Sequence, residues 1–484
     1  MKKYIIPVLL SFLIFSLSGC SLKGTADPTT IQSESTSEVS TETSAEASSN
    51  SSEETSQVSV ESETSSEMNS ESSAVANSET SAEDNSESTS ETSTDSSYDT
   101  STLNDAYALQ DGDSLVGGTY EATEDDQSGL EASGTVTAEV TGSLILKTAG
   151  DASSADASSF YGVNSAIRVY DNATLTLKDV TVEASADNAT GVFAYDGGTI
   201  YIYDSDITVT GGGAGGVQVA GGGTLYGYNL TVSTTSKAPI RSDRGGGIMV
   251  IDGGTYTTTG TGGCPAIYST ADITVKNATL TSENSRAVII EGKNSVALEN
   301  CILTGNDQST KEGSVKAAVL LYQSMSGDAS VGTSEFTMTG GSLTTMSGAL
   351  FYCTNTNSVI YLTGAELLYA STAADDPILL IVSEGRWGSD GSNGGDCELN
   401  ASAQELYGAI IVDSISSLEL NLTDGSTFTG SINEDGEAGE VSVTLENGCT
   451  WTLTGDSYIT DFDGDLANVI ANGYHLYVDG VQVV

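Results

Sequence analysis

The residues best equipped for chemistry in this chain are few, and their spacing narrows what they could do. A single histidine, His475, sits between Tyr474 and Leu476 near the end of the chain, which argues strongly against His-dependent catalytic triads and multi-histidine zinc sites. Arginine beside carboxylate occurs twice, at Arg241-Ser242-Asp243-Arg244 and at Arg386-Trp387 with Asp390 and Asp396. A basic side chain next to acids is the equipment of proton abstraction assisted by Ca²⁺. It is equally a charge held by a neighbouring acid at a turn. Tyr201 and Tyr226 lie 25 residues apart, as do Tyr203 and Tyr228. Their ring faces suit the C–H faces of sugars.

Those tyrosines belong to a repeat. Asp179, Asp204, Asn229, Asp252, Asn277 and Asn300 recur at spacings of 25, 25, 23, 25 and 23 residues. Four residues before each comes an aliphatic side chain, from Leu175 to Val296; two before comes another, with Gly227 as the exception. This alternation has the period of a strand, and Asp or Asn at its end suits a turn that needs positive φ. A further strand opens each unit at Ile167, Val192, Val217, Ile240, Ile267 and Val288. Three short strands per unit of this length predict a parallel β-solenoid, each coil pairing with the coils above and below. If Ile200, Ile202 and Leu225 face inward, Tyr201, Tyr203, Tyr226 and Tyr228 face outward as a two-by-two patch, with neighbouring coils about 4.8 Å apart. Met249 and Ile251 are expected to extend it on the next coil.

The column pattern resembles the right-handed parallel β-helix of the pectate-lyase-like superfamily, whose second turn favours Asn. The resemblance implies an all-β fold with three strands per coil over most of the chain beyond Asn104, and it points to architecture more than activity. Hydrolases of that superfamily carry a Gly-His-Gly beside several aspartates, which this chain lacks. The arginine clusters do not reproduce the lyases' pattern either.

Past Leu303 the pattern continues with Gly340 and Gly364 at the corner, interrupted by insertions at Asn306 to Lys316, Gln323 to Ser334 and Glu384 to Asp396. The last two both follow a first strand and are expected to leave one edge of the solenoid. Ala149 to Ser159 reads as a polar loop, and Tyr458 to Val484 as the closing cap.

Upstream of the solenoid, residues 1–19 read as a signal peptide, with Lys2 and Lys3 before an apolar run. Leu17-Ser18-Gly19-Cys20 resembles the bacterial lipobox, which implies lipidation of Cys20, palmitate among its acyl chains, and anchoring at the extracellular face of a Gram-positive cell membrane. Residues 20–102 are dominated by Ser, Thr and Glu and hold too little apolar surface to fold, so they predict a disordered tether spanning on the order of 50 Å or more. The folded domain is placed at 103–484.

The net charge is −52, with 67 acids against 15 bases. Such a balance disfavours nucleic acid and anionic lipid headgroups as partners. Besides Cys20 there are Cys264, Cys301, Cys353, Cys397 and Cys449, widely spaced and without a Cys-x-x-Cys, which read as small buried core residues. The expectation is an adhesin-like, lipid-anchored surface protein that binds glycan or another surface macromolecule through Tyr201, Tyr203, Tyr226, Tyr228, Arg386 and Trp387. It needs no cofactor and no catalysis. The alternative is a polysaccharide lyase assisted by Ca²⁺.

Overall fold

A computed structural model describes residues 105–311, 313–436 and 439–484. The signal peptide, Cys20 and the tether lie outside the described residues. The fold is an all-β parallel β-helix with three strands per coil. Eleven first strands, from Leu130–Ala132 to Ala409–Val412, stack in one parallel ladder. Second strands and most third strands form a 22-stranded sheet, continuous because Gly223–Thr234 and Gly247–Thr261 each run through the corner between them, while the third strands of the last coils, from Glu405–Tyr407 on, form a separate four-stranded sheet. Near the far end Ser457–Ile459 pairs with Leu476–Val478, and the antiparallel strand Val481–Gln482 covers the latter. These strands fall in and next to the stretch Tyr458 to Val484 that reads as the closing cap.

Inward side chains make one continuous core along the axis. Leu175, Ile200 and Leu225 stack in register, each fully buried, as do Leu280, Leu303 and Leu343. Every such column removes apolar area from water coil after coil, at roughly 25 cal/mol per Å². The corner column also forms as expected: Asp179, Asp204, Asn229, Asn277 and Asn300 have φ between 46° and 54°, and Gly340 and Gly364 continue it at 62° and 57°. Neighbouring corners are tied together, since Asn229 Nδ2 donates to Asp204 Oδ1 at 2.8 Å.

One member of the column is displaced. Asp252 pairs with Tyr228, not with Asn229, and Gly253 takes the corner at φ 76°. The parity of that strand is therefore the reverse of the expectation. Met249 and Ile251 are fully buried, while Ile248 and Val250 face outward. The physical reason sits next door, where Gly227 leaves a gap in the core. A Cβ at Gly227 would lie 2.8 Å from Ile251 Cδ1 and 2.9 Å from Leu230 Cδ1, so these two side chains occupy the space.

The segment read as a polar loop contains a helix, α1 (Ala155–Tyr161), capped by Ser154, whose side chain accepts from Ala157 N, and closed by Gly162 at φ 69°. Four of the five described cysteines are buried, and Cys264 is half-buried.

Candidate functional site

Two faces of the solenoid differ in what covers them. On the second-strand face, strand Thr199–Tyr203 pairs with Gly223–Thr234 so that Tyr201 lies opposite Tyr226 and Tyr203 opposite Tyr228. The rings stack: 4.9 Å between centroids at 10° for the first pair, 4.8 Å at 7° for the second. All four side chains are half-buried. For a residue flanked by stacked neighbours on a flat sheet, half-burial leaves the outer edge and hydroxyl to solvent.

The patch has charged borders. Lys178 precedes Tyr203 in its column and is paired with Glu139 at 2.8 Å; Asp252 follows Tyr228, and beyond it Lys276 is paired with Glu299 at 2.7 Å. Partial loss of hydration, and then the neighbouring Tyr203 and Tyr226, push the Tyr228 phenol up. The extension of the patch is Val250 with the exposed Ile248, in place of Met249 and Ile251.

The outer face of the first-strand sheet is covered. Arg168, Phe193, Gln218, Arg241, Tyr268 and Leu320 point outward from it, and all are buried. Helix α1 lies over the early coils, where Tyr161 O accepts from Arg168 Nε at 2.9 Å and Ser159 O from Gln218 Nε2 at 2.8 Å. Lys237 Nζ donates to Ser159 Oγ at 2.7 Å; burial, then the nearby Arg241, lowers this amine to about 8. Over the later coils the three insertions take up the covering. Asp307 approaches Arg286 Nε at 3.0 Å, and Asp328 Oδ1 accepts from Arg244 Nη2 at 2.6 Å. Glu291 Oε2 accepts from Tyr268 at 2.6 Å and Tyr322 at 2.9 Å, and its other oxygen accepts from Ser324. Burial raises the Glu291 carboxyl.

The arginine clusters are accordingly structural. Arg241 donates twice to Asp243 Oδ2, at 2.7 and 3.1 Å, and lies over the Tyr268 ring at 4.6 Å. Asp243 Oδ1 accepts from Arg244 N, and Arg244 stacks on Phe160 at 4.0 Å. With both oxygens of Asp243 engaged and the Arg241 guanidinium buried, this set does not fit a Ca²⁺ site with a free base. No group of three or more His, Cys, Asp or Glu side chains is gathered for a metal among the described residues. Trp387 is 8% exposed and packs against Tyr322 at 4.5 Å, with Arg386 over its outer side at 5.2 Å. Its ring anchors the insertion, so it does not offer the free face that ligand stacking requires.

The chain matches no family model and no curated protein.

A recess of about 250 Å³ opens between the last two insertions, lined by Val331, Gly332, Asn355, Thr356, Asn357 and Asp396 among others. Sequence reasoning did not find it, although the signal was present: two insertions leaving after first strands two coils apart must flank the corner between them.

Proposed function

We propose that this protein is a lipid-anchored, cell-surface glycan binder that acts without catalysis, holding sugar rings on Tyr201, Tyr203, Tyr226 and Tyr228. The observation that carries this reading is the two-by-two stack of half-buried rings at 4.8–4.9 Å on the second-strand face. The ring faces are taken up by stacking on one another, so apolar contact with a sugar comes from the outer ring edges, and the phenol hydroxyls and bordering charges supply hydrogen bonds to sugar hydroxyls. The strongly acidic body favours neutral or cationic glycans over polyuronates. The Cys20 lipid and the Ser/Thr/Glu tether would hold this surface away from the membrane. Its test is a broad glycan array probed with the whole protein: retention of a defined sugar class, without product release, is expected. Release of unsaturated, ultraviolet-absorbing products from a polyuronate in the presence of Ca²⁺ would favour the lyase instead.

A further inference from the structure

Cys353 and Cys397 meet in the core. Cys353 lies on the first strand Ala349–Thr354 and Cys397 on the second strand Asp396–Ser402 of the following coil; they are 0% and 4% exposed. Their sulfurs are 3.6 Å apart, and 44 residues separate them in sequence. Cys353 stacks between Leu321 and Val382, and Cys397 between Ser358 and Leu418, so each sulfur has only small or aliphatic column neighbours. Two of the other thiols lie against backbone: Cys301 Sγ is 3.3 Å from Val275 O, and Cys264 Sγ donates to Ser236 O.

We propose that Cys353 and Cys397 are a modification site, joined as a disulfide in the mature protein. The bond needs the sulfurs to close to about 2.0 Å. The reaction is thiol–disulfide exchange: the two thiols lose two protons and two electrons to a small-molecule or enzyme disulfide, which leaves as two thiols, and one S–S bond replaces another. In the finished fold the hydrogen bond to Cys353, then burial, hold the Cys397 thiol well above its ordinary value. Thiolate is therefore scarce there, and the exchange belongs to folding, before the core closes. The link would staple consecutive coils and the base of the Glu384 to Asp396 insertion. It would also underlie the recess, because Asn355 follows Cys353 by two residues and Asp396 directly precedes Cys397. The proposal leans on the exported-protein reading only for where an oxidant is met; the test supplies one, so it stands or falls independently of Cys20.

The sequence makes the test direct, since Lys316 and Arg386 are the last two basic residues cleaved by trypsin. The full chain is unfolded with reductant, refolded with reduced and oxidised glutathione, alkylated under denaturing conditions and digested. Peptides 317–386 and 387–484 are expected as one species, lighter than their sum by two hydrogens and separated by reductant. The link should persist in Cys449→Ser and vanish in Cys353→Ser. Alkylation of both Cys353 and Cys397 in the unreduced wild type overturns the proposal, as does a link lost in Cys449→Ser. Both decisive readings come from the wild type and the Cys449 variant, so they hold even if Cys353→Ser fails to fold.

Discussion

Tyr203 and Tyr228 lie ring over ring at 4.8 Å, 7° from parallel, on strands paired residue for residue. Because both point away from the core, replacing them should separate binding from stability. Tyr203→Ala with Tyr228→Ala is expected to abolish glycan retention while costing roughly 0.5–1.5 kcal/mol for the lost ring pair in addition to the partial burial of the two rings. Array binding and thermal melting, read on one preparation, check it. A variant that melts far earlier than wild type would make the rings structural.

The corner column makes a backbone prediction. Asn277 sits at φ 53° and donates to Asp252 Oδ1 at 2.7 Å. Asn277→Val forces a β-branched residue into that conformation, at a cost of roughly 1–3 kcal/mol. Lys276→Thr, which loses only an exposed ion pair, should leave the denaturation midpoint close to that of wild type. Equal denaturation midpoints for the two variants would contradict the corner assignment.

Trp387 anchors the last insertion on Tyr322. Truncating it to Ala should destabilise its cluster by about 3–5 kcal/mol. The same change should expose the neighbouring Arg386 to trypsin under native conditions. Faster cleavage at that bond, with glycan retention unaltered, is the expected pair of results. If cleavage is no faster than in wild type, other contacts hold the insertion.

Asp105 gives a pH prediction. Burial, then the hydrogen bond and charge of Glu131, raise its carboxyl from 3.8 to about 8. The folded state thus keeps a proton that the unfolded chain gives up, and this contribution to stability, full below pH 3.8, is lost as the pH rises toward 8. Asp105→Asn mimics the protonated form. Melting curves from pH 4 to 8 should fall less steeply for the variant, with the largest gain at the alkaline end. Parallel pH profiles would show that Asp105 is ordinarily ionised.

The proposed anchoring would rest on Cys20. Cys20→Ala should yield unprocessed protein or protein shed into the medium, seen by fractionation and intact mass. Wild-type membrane levels at mature size would end the lipoprotein reading.

The ladder of strands was legible because alternation, with the Asp/Asn column and its glycine substitutes, carries it through most of the coils. Where the column failed, the cause is local. Ile248 to Ile251 are four consecutive apolar residues, so either parity satisfies the alternation, and Asp252 and Gly253 are both turn formers. Only the gap at Gly227, filled by Ile251 from the next coil, decides between them. Helix α1 escaped because seven residues are too few to display a helical period. The covering of the first-strand face was out of reach for another reason: its pins join distant positions, Arg244 to Asp328 across 84 residues and Lys237 to Ser159 across 78. The outward tyrosines could be read because their orientation follows from strand parity alone, whereas the burial of Trp387 depends on a loop path that no periodicity encodes.

Register has a consequence for how such a molecule could change over generations. Thr199, Tyr201 and Tyr203 pair with Thr224, Tyr226 and Tyr228, so the upper and lower surfaces of these two coils are nearly the same surface. A tandem duplication of the 25 residues that carry Tyr201 and Tyr203 would present its neighbours with an interface they already accept. Two columns of two rings would become two columns of three, and the ring-bearing surface would lengthen by one step in a single recombination event, leaving the existing core intact.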